Sequence, residues 1–318
     1  IEHSADRAQR RSSTAPIEHS AAMCSTHRQR YFLEEKENRV ARPFTGKVRM
    51  LLVALNYEGS DSPLNCTIDA ERLVAVAKQA KVKDITRLYD TDRFGREGAP
   101  TADNVRAKIK EIGARTGVND YFVLCFSGHG DSEENPEAPS GVDCLLCLQG
   151  EDTMIDDEIA SLITTSFPSD ARVLMLCDAC HSGGIMDVDT GGVWGRMRVS
   201  AISGCQEYQT SVDTGDGGVM TNALLKCINR KTVKALRKKR AVSVQYVFNR
   251  MVEFVDEEQD DDDEYDSDDE SWDSEYEDYE DDEDEYEDSE FEDEEESGQN
   301  INLSWPGGCD PSRIAFPF

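Results

Sequence analysis

Four short runs made almost wholly of apolar residues, Val48 to Asn56, Ile85 to Tyr89, Tyr121 to Ser127 and Arg172 to Cys177, alternate with amphipathic segments at Asn65 to Ala80, Ala102 to Arg115 and Asp156 to Thr165. A strand with no polar face has to be covered on both sides, which a parallel sheet achieves by carrying helices on each face. The alternation therefore predicts an α/β fold, a three-layer α/β/α sandwich around a mainly parallel sheet. Val199 to Ser203 reads as a fifth strand, helices follow near Met220 to Asn229 and Val233 to Val255, and Asn300 to Trp305 reads as a sixth strand. Ligands of such sheets bind at the carboxyl ends of the strands.

Two stretches fall outside this pattern. Residues 1–45 are rich in Ser, Arg, Ala and Gln and carry Ile-Glu-His-Ser-Ala twice, at 1–5 and 17–21. They read as a disordered segment whose repeated His is duplicated low-complexity sequence, not a metal site. The formal net charge of -32 is concentrated between Asp256 and Glu296, which hold 30 Asp or Glu and no Lys or Arg, leaving -2 for the rest. Charge repulsion and the lack of an apolar stripe predict a disordered acidic insertion over 256–297, inside the domain because a strand follows it. Such a segment could hold basic substrates, bind calcium weakly or fold over Lys231, Lys234 and Arg237 to Arg240. The 10 Cys lie at uneven spacings in apolar stretches, which points to a reducing, cytoplasmic setting. With no run of 18 apolar residues there is no candidate membrane span. A monomer with neither a nucleic-acid nor a membrane partner is expected.

Of five His, three lie in the amino-terminal segment, leaving His129 and His181. His129 stands in Phe-Ser-Gly-His-Gly-Asp and His181 in Cys-Asp-Ala-Cys-His-Ser-Gly-Gly, each directly after an apolar strand. Both loops open on one edge of a parallel sheet, so a Cys on one and a His on the other can meet. The pairing is chemically useful: a thiol of reference pKa about 8.5 is mostly protonated at neutral pH, and an imidazole both activates it and later protonates a leaving amine. The flanking glycines let backbone N–H groups reach a substrate carbonyl, with Gly130 and the amide of Cys180 as the natural oxyanion donors.

Ser-Gly-His-Gly followed about 50 residues later by Asp-Ala-Cys-His-Ser-Gly resembles the metacaspase branch of the caspase-like cysteine peptidases. Asn56-Tyr57, Leu64 to Ala70, Ile202 to Gln206 and Gln209-Thr210-Ser211 match other blocks of that family. The resemblance implies a caspase-like fold with a large-subunit-like region over 46–192, a short linker over 193–199 as in type I members, and a small-subunit-like region over 200–318. It implies a calcium-dependent endopeptidase acting on proteins or peptides after Arg or Lys, with His129 and Cys180 as the dyad. Asp69 and Asp178 fall in the pocket for the residue before the cut, lined by Cys66 and Ser127. Asp143, Asp156, Asp157 and Asp187 correspond to the family's calcium carboxylates, a hard all-oxygen set that suits Ca2+ over zinc. Self-processing is implied as well, with Lys47, Arg49, Arg196 and Arg198 as candidates in linkers.

Bland alternatives stand beside several of these. Asp69 shares an otherwise apolar helix face with Cys66 and Leu73, so it either awaits a substrate's cation or pairs with an internal Lys or Arg. Asp156 and Asp157 open a helix and could merely cap it. The Cys-x-x-Cys pairs Cys144/Cys147 and Cys177/Cys180 suggest zinc, but on strands residues three apart point to opposite faces and cannot share a metal. The competing function is a catalytically silent caspase-like scaffold whose acidic insertion binds calcium or basic partners.

Overall fold

A computed structural model describes residues 45–318 except 137, 139–140, 151, 181, 186–192, 206–216, 229–241, 264–299 and 308. Its centre is a six-stranded sheet built from β1 (Val48–Ala54), β2 (Asp84–Tyr89), β3 (Tyr121–Ser127), β7 (Arg172–Asp178), β8 (Arg198–Ser203) and β9 (Asn302–Ser304). The spatial order is β2-β1-β3-β7-β8-β9, with every pair parallel except β8 and β9. The parallel α/β sandwich expected from the apolar runs is thus the fold observed.

Alternation along each strand feeds two separate cores. Met50, Leu52, Val123, Cys125, Leu174, Leu176 and Ile202 face one side. There they meet α1 (Cys66–Gln79), α4 (Val219–Cys227) and α5 (Val244–Asp263). Leu51, Val53, Phe122, Leu124, Val173, Met175 and Ala201 face the other, against α2 (Ala102–Ala114) and α3 (Asp156–Ser166). The helices form where the sequence gives them a buried stripe: α1 buries Cys66, Ala70, Leu73, Val74 and Ala77, at helical spacing. It stops at Lys81, whose left-handed φ of 68° lets the Val82 N–H close back on the Ala77 carbonyl at 2.9 Å. The Thr101 hydroxyl caps α2 by accepting the Asn104 N–H.

A second, antiparallel sheet of β4 (Gly130–Glu134), β5 (Val142–Cys147) and β6 (Thr153–Ile155) grows directly out of the His129 loop. Three boundaries differ from the sequence reading. Helix α5 continues eight residues past Val255, into the acidic run, because its preceding turns are anchored by buried Val244, Val247, Met251 and Val255. The expected start of that helix at Val233 lies outside the described residues. Arg198, assigned to a linker, opens β8, where its N–H donates to the Ala171 carbonyl at 3.0 Å. Arg49, also taken as a linker residue, lies inside β1 and is only 7 % exposed. Its guanidinium pairs with Asp84 and with Asp120 at 3.1 Å and donates to the Arg115 carbonyl at 2.6 Å. Those three partners are what make a charge tolerable in a central strand. Among the described residues no helix is long and apolar enough to cross a membrane.

Candidate active site

The register of the sheet sets the site. Ser127 at the end of β3 stands opposite Asp178 at the end of β7, and the Gly128 N–H donates to the Asp178 carbonyl at 3.3 Å. The next residues of each chain segment, Gly128-His129-Gly130 and Ala179-Cys180, therefore leave the sheet side by side. A Cβ on Gly130 would collide with the Cys180 carbonyl oxygen, so the two loops touch main chain to main chain. His129 and Cys180 are both half-buried.

His129 is held at several points. Its Nε2 lies 2.7 Å from the Ser62 carbonyl oxygen. A carbonyl only accepts, so Nε2 carries the proton and Nδ1 of the neutral ring is the basic nitrogen. The ring packs on that of Tyr57 with centroids 4.5 Å apart and planes at 40°. One step beyond the β4–β5 register, which ends at Gly130 opposite Leu146, the Cys147 N–H donates to the His129 carbonyl at 3.1 Å. Hydrogen-bonded positions alternate along an antiparallel ladder, so the N–H of Gly130 points away from β5. A cleft of about 700 Å³ opens beside the ring, walled by Tyr57, Glu58, Asp61, Ser62 and Asp131.

On the sheet's other side α1 brings Asp69 to the end of β7, where Cys66, Ser127 and Asp178 are also buried. Asp69 is 2 % exposed. One oxygen accepts the Gly218 N–H at 2.9 Å and the other an Arg72 N–H at 3.1 Å. Arg72 is 41 % exposed at its side chain and also donates to Asn222 Oδ1 at 2.7 Å. The internal Arg of the alternative reading is therefore Arg72, which reaches Asp69 from a partly exposed position, and a second carboxylate, Asp178, stands close by. Burial, reinforced by the charge of Asp178 and opposed by the Gly218 N–H and Arg72, pushes Asp69 up to about 6. Asp178 accepts the Thr221 N–H at 2.9 Å. Side chains at 217 and 218 would run into Asp69 and Asp178 respectively, and Gly217 has a φ of 105°. The diglycine main chain lies against both carboxylates, and the void enclosed between Asp69, Ser127 and Thr221 is only about 10 Å³.

The predicted calcium residues come together in part. Asp156 and Asp157 open α3, and Asp143 lies on β5. Asp156 accepts the Cys144 N–H at 3.1 Å and the Asp157 N–H at 2.8 Å, which ties the first turn of α3 to β5; the N-cap position itself is Ile155, with no side-chain capping bond. Burial first, then the charges of Asp143 and Asp157, push it up to about 6. Asp143 accepts from the Asn135 amide at 2.9 and 3.0 Å. Among the described residues no group of three His, Cys, Asp or Glu is close enough to hold a metal ion, and Asp187 lies outside them. Asp143, Asp156 and Asp157 offer oxygen donors only, the ligand type that a hard cation takes.

Lys47 is exposed just before β1, its N–H donating to Asp120 at 2.8 Å. Arg196 is exposed in the turn before β8 and pairs with Asp170 at 3.2 Å. Cys144 is buried whereas Cys147 reaches the surface, as expected for strand residues three apart. Sequence reasoning passed over Arg72, Asn135, Gly217, Gly218 and the anchoring of His129 by Ser62. The two adjacent glycines ahead of an apolar helix were the one visible signal among them.

Residues 48–189 match the family model described as metacaspase, peptidase C14 domain. The chain is similar to Metacaspase-2 of Trypanosoma brucei brucei, 30% identical over 230 residues, covering 58% of this chain and 65% of that protein. It is also similar to Metacaspase-1 of Yarrowia lipolytica, 28% identical with 57% and 53% covered, and to Metacaspase-1 of Arabidopsis thaliana, 26% identical with 58% and 60% covered. The chain thus spans less than two thirds of the length of these relatives. The crystal structure of protein GSU0716 from Geobacter sulfurreducens shares the fold, with a TM-score of 0.56 at 22% identity over 85% of this chain and 97% of that one.

Proposed function

Because the chain belongs to the metacaspase family, we propose that it is a calcium-dependent cysteine endopeptidase that cuts after Arg or Lys and processes itself. The observation that carries this reading is the main-chain contact of Gly130 with Cys180, which joins the His129 and Cys180 loops beside two buried carboxylates. The Cys180 thiol gives its proton to Nδ1 of His129 and attacks the scissile carbonyl. The N–H groups of Gly130 and Cys180 receive the negative oxygen that develops. The imidazolium then protonates the departing amine, whose half of the substrate leaves through the cleft beside His129. Water, deprotonated by the same ring, hydrolyses the remaining thioester.

Asp69 and Asp178 give the pocket its preference for a cationic side chain. A void of about 10 Å³ does not admit an Arg or Lys, so the Gly217-Gly218 segment has to withdraw and Arg72 has to surrender Asp69 to the substrate. Asp143, Asp156, Asp157 and Asp187 would hold the calcium, which supplies positive charge to a cluster of mutually repelling carboxylates. Self-cleavage is assigned to the exposed Lys47 and Arg196.

Short peptides ending in Arg, Lys or Asp at the cut, each assayed with calcium and with chelator, test the reading. Cleavage after Arg and Lys that needs calcium and disappears in Cys180→Ala is expected. Calcium binding without cleavage of any of these peptides would favour the silent scaffold instead.

A further inference from the structure

The imidazole of a Cys–His pair is effective only when its ring is held at the right place and tilt, because the proton it takes and gives moves over a hydrogen-bond distance. We propose that Tyr57 is the positioning residue for His129, its phenol inserted as a bridge into the β4–β5 ladder. This inference rests on the reading of His129 and Cys180 as the working pair.

In an unbroken antiparallel ladder a hydrogen-bonded pair exchanges two N–H···O bonds. The β4–β5 register ends at Gly130 opposite Leu146, and at the next position, His129 facing Cys147, one bond of such a pair is present, from the Cys147 N–H to the His129 carbonyl at 3.1 Å. The reciprocal bond is replaced by Tyr57: the His129 N–H donates to the phenol oxygen at 2.9 Å, and the phenol O–H donates to the Cys147 carbonyl at 2.7 Å. The hydroxyl thereby sets the spacing between the strands at the residue where β4 departs from the His129 loop. Burial pushes the phenol pKa well above its usual value, so the O–H keeps its proton and its direction of donation.

The same side chain limits the imidazole from its face, with ring centroids 4.5 Å apart. Tyr57 is itself over-determined. Its backbone is left-handed at φ 50°, which is strained for an aromatic residue, and it is held there by Asp90, whose carboxylate accepts both the Asn56 and Tyr57 N–H groups at 2.8 Å. Gly128 is shaped to the phenol as well, since a Cβ there would lie 2.6 Å from the hydroxyl oxygen. The glycine of Ser-Gly-His-Gly thus makes room for the tyrosine that orients the histidine.

Tyr57→Phe keeps the ring and deletes the bridge. The test compares wild type, Tyr57→Phe and Gly128→Ala in the full chain. It follows peptide cleavage, thermal unfolding, and the pH profile of iodoacetamide alkylation at Cys180 read by peptide mapping. Both variants should lose about tenfold or more in kcat with KM held within about twofold. Both should also shift the pH profile of Cys180 alkylation, which reports the imidazole and needs no peptide substrate, while remaining folded at the assay temperature. Unchanged kcat and alkylation profile in a folded Tyr57→Phe protein would overturn the proposal. If that variant does not fold, an unchanged alkylation profile in Gly128→Ala overturns it instead. A wild type that cleaves no Arg or Lys peptide, but whose alkylation profile still responds to Tyr57→Phe, would reject the peptidase specificity and leave the positioning role standing.

Discussion

Replacing Asp69 by Asn should make the protein more stable near neutral pH and useless against basic substrates. The carboxyl ionises near 3.8 when exposed and is pushed up to about 6 in the fold, chiefly by burial. A raised carboxyl pKa means that the unfolded chain loses this proton first. Folding stability from this group is therefore fully present below about pH 3.8 and is lost as pH rises through about 6. A shift of about 2 units at 1.36 kcal/mol each puts the cost of the ionised form at roughly 3 kcal/mol at neutral pH. The pair with Arg72 is already counted in that shift, but part of the gain will be returned because Asn carries an NH2 donor where the carboxylate had a second acceptor, and the Gly218 N–H and Arg72 both need acceptors. A net rise of about 1 to 2 kcal/mol corresponds to a Tm increase of several degrees for a domain of this size. Melting curves of the calcium-free wild type and Asp69→Asn at pH 7.5 and pH 5 give the comparison, and kcat/KM on Arg peptides gives the functional arm. The advantage of Asp69→Asn should shrink at pH 5, and kcat/KM should fall by two orders of magnitude or more on losing a buried charge partner of about 3 kcal/mol. A lower Tm for Asp69→Asn at pH 7.5, or undiminished cleavage after Arg, would refute this account of the pocket.

Asp156→Asn should behave likewise in the calcium-free protein, raising Tm at pH 7.5 because its carboxyl is also pushed up to about 6, while the Tm shift on adding calcium shrinks; an undiminished calcium shift in differential scanning would exclude it as a ligand. Gly218→Ala puts a methyl group into Asp178, and overpacking of this kind costs about 1 to 3 kcal/mol, so a drop in Tm together with loss of Arg-peptide cleavage is expected. Incubation with calcium should produce fragments with new termini after Lys47 and Arg196 but none after Arg49, and Cys180→Ala should produce none, as checked by terminal sequencing.

The sheet was legible because β1, β3 and β7 carry side chains buried on both faces, and such runs have few alternatives. The two loops of the dyad were legible for the same reason, since each begins where an apolar strand ends. Strand β4 was not, because Gly-Asp-Ser-Glu-Glu has no apolar pattern and is strand only through pairing with β5. Arg49 was misassigned because a charge inside a strand reads as a boundary; its partners Asp84 and Asp120 lie 35 and 71 residues away and no local pattern announces them. The reach of Arg72 to Asp69 and the diglycine against two carboxylates depend on α1 and α4 meeting in space, and spacing along the chain carries no trace of that. Tyr57 was visible only as part of a matched block, its function hidden in a left-handed backbone and a bond to a strand 90 residues on.

The position of β8 beside β7 has a consequence for what self-cutting at Arg196 could achieve. Each strand is hydrogen-bonded to the other along Arg172 to Cys177, and both drive side chains into the same two cores. A nick between them severs the covalent link without freeing either half, so the products would separate on a denaturing gel yet travel as one particle through a sizing column. Any change of activity on cutting would then come from slack in the turn and not from dissociation.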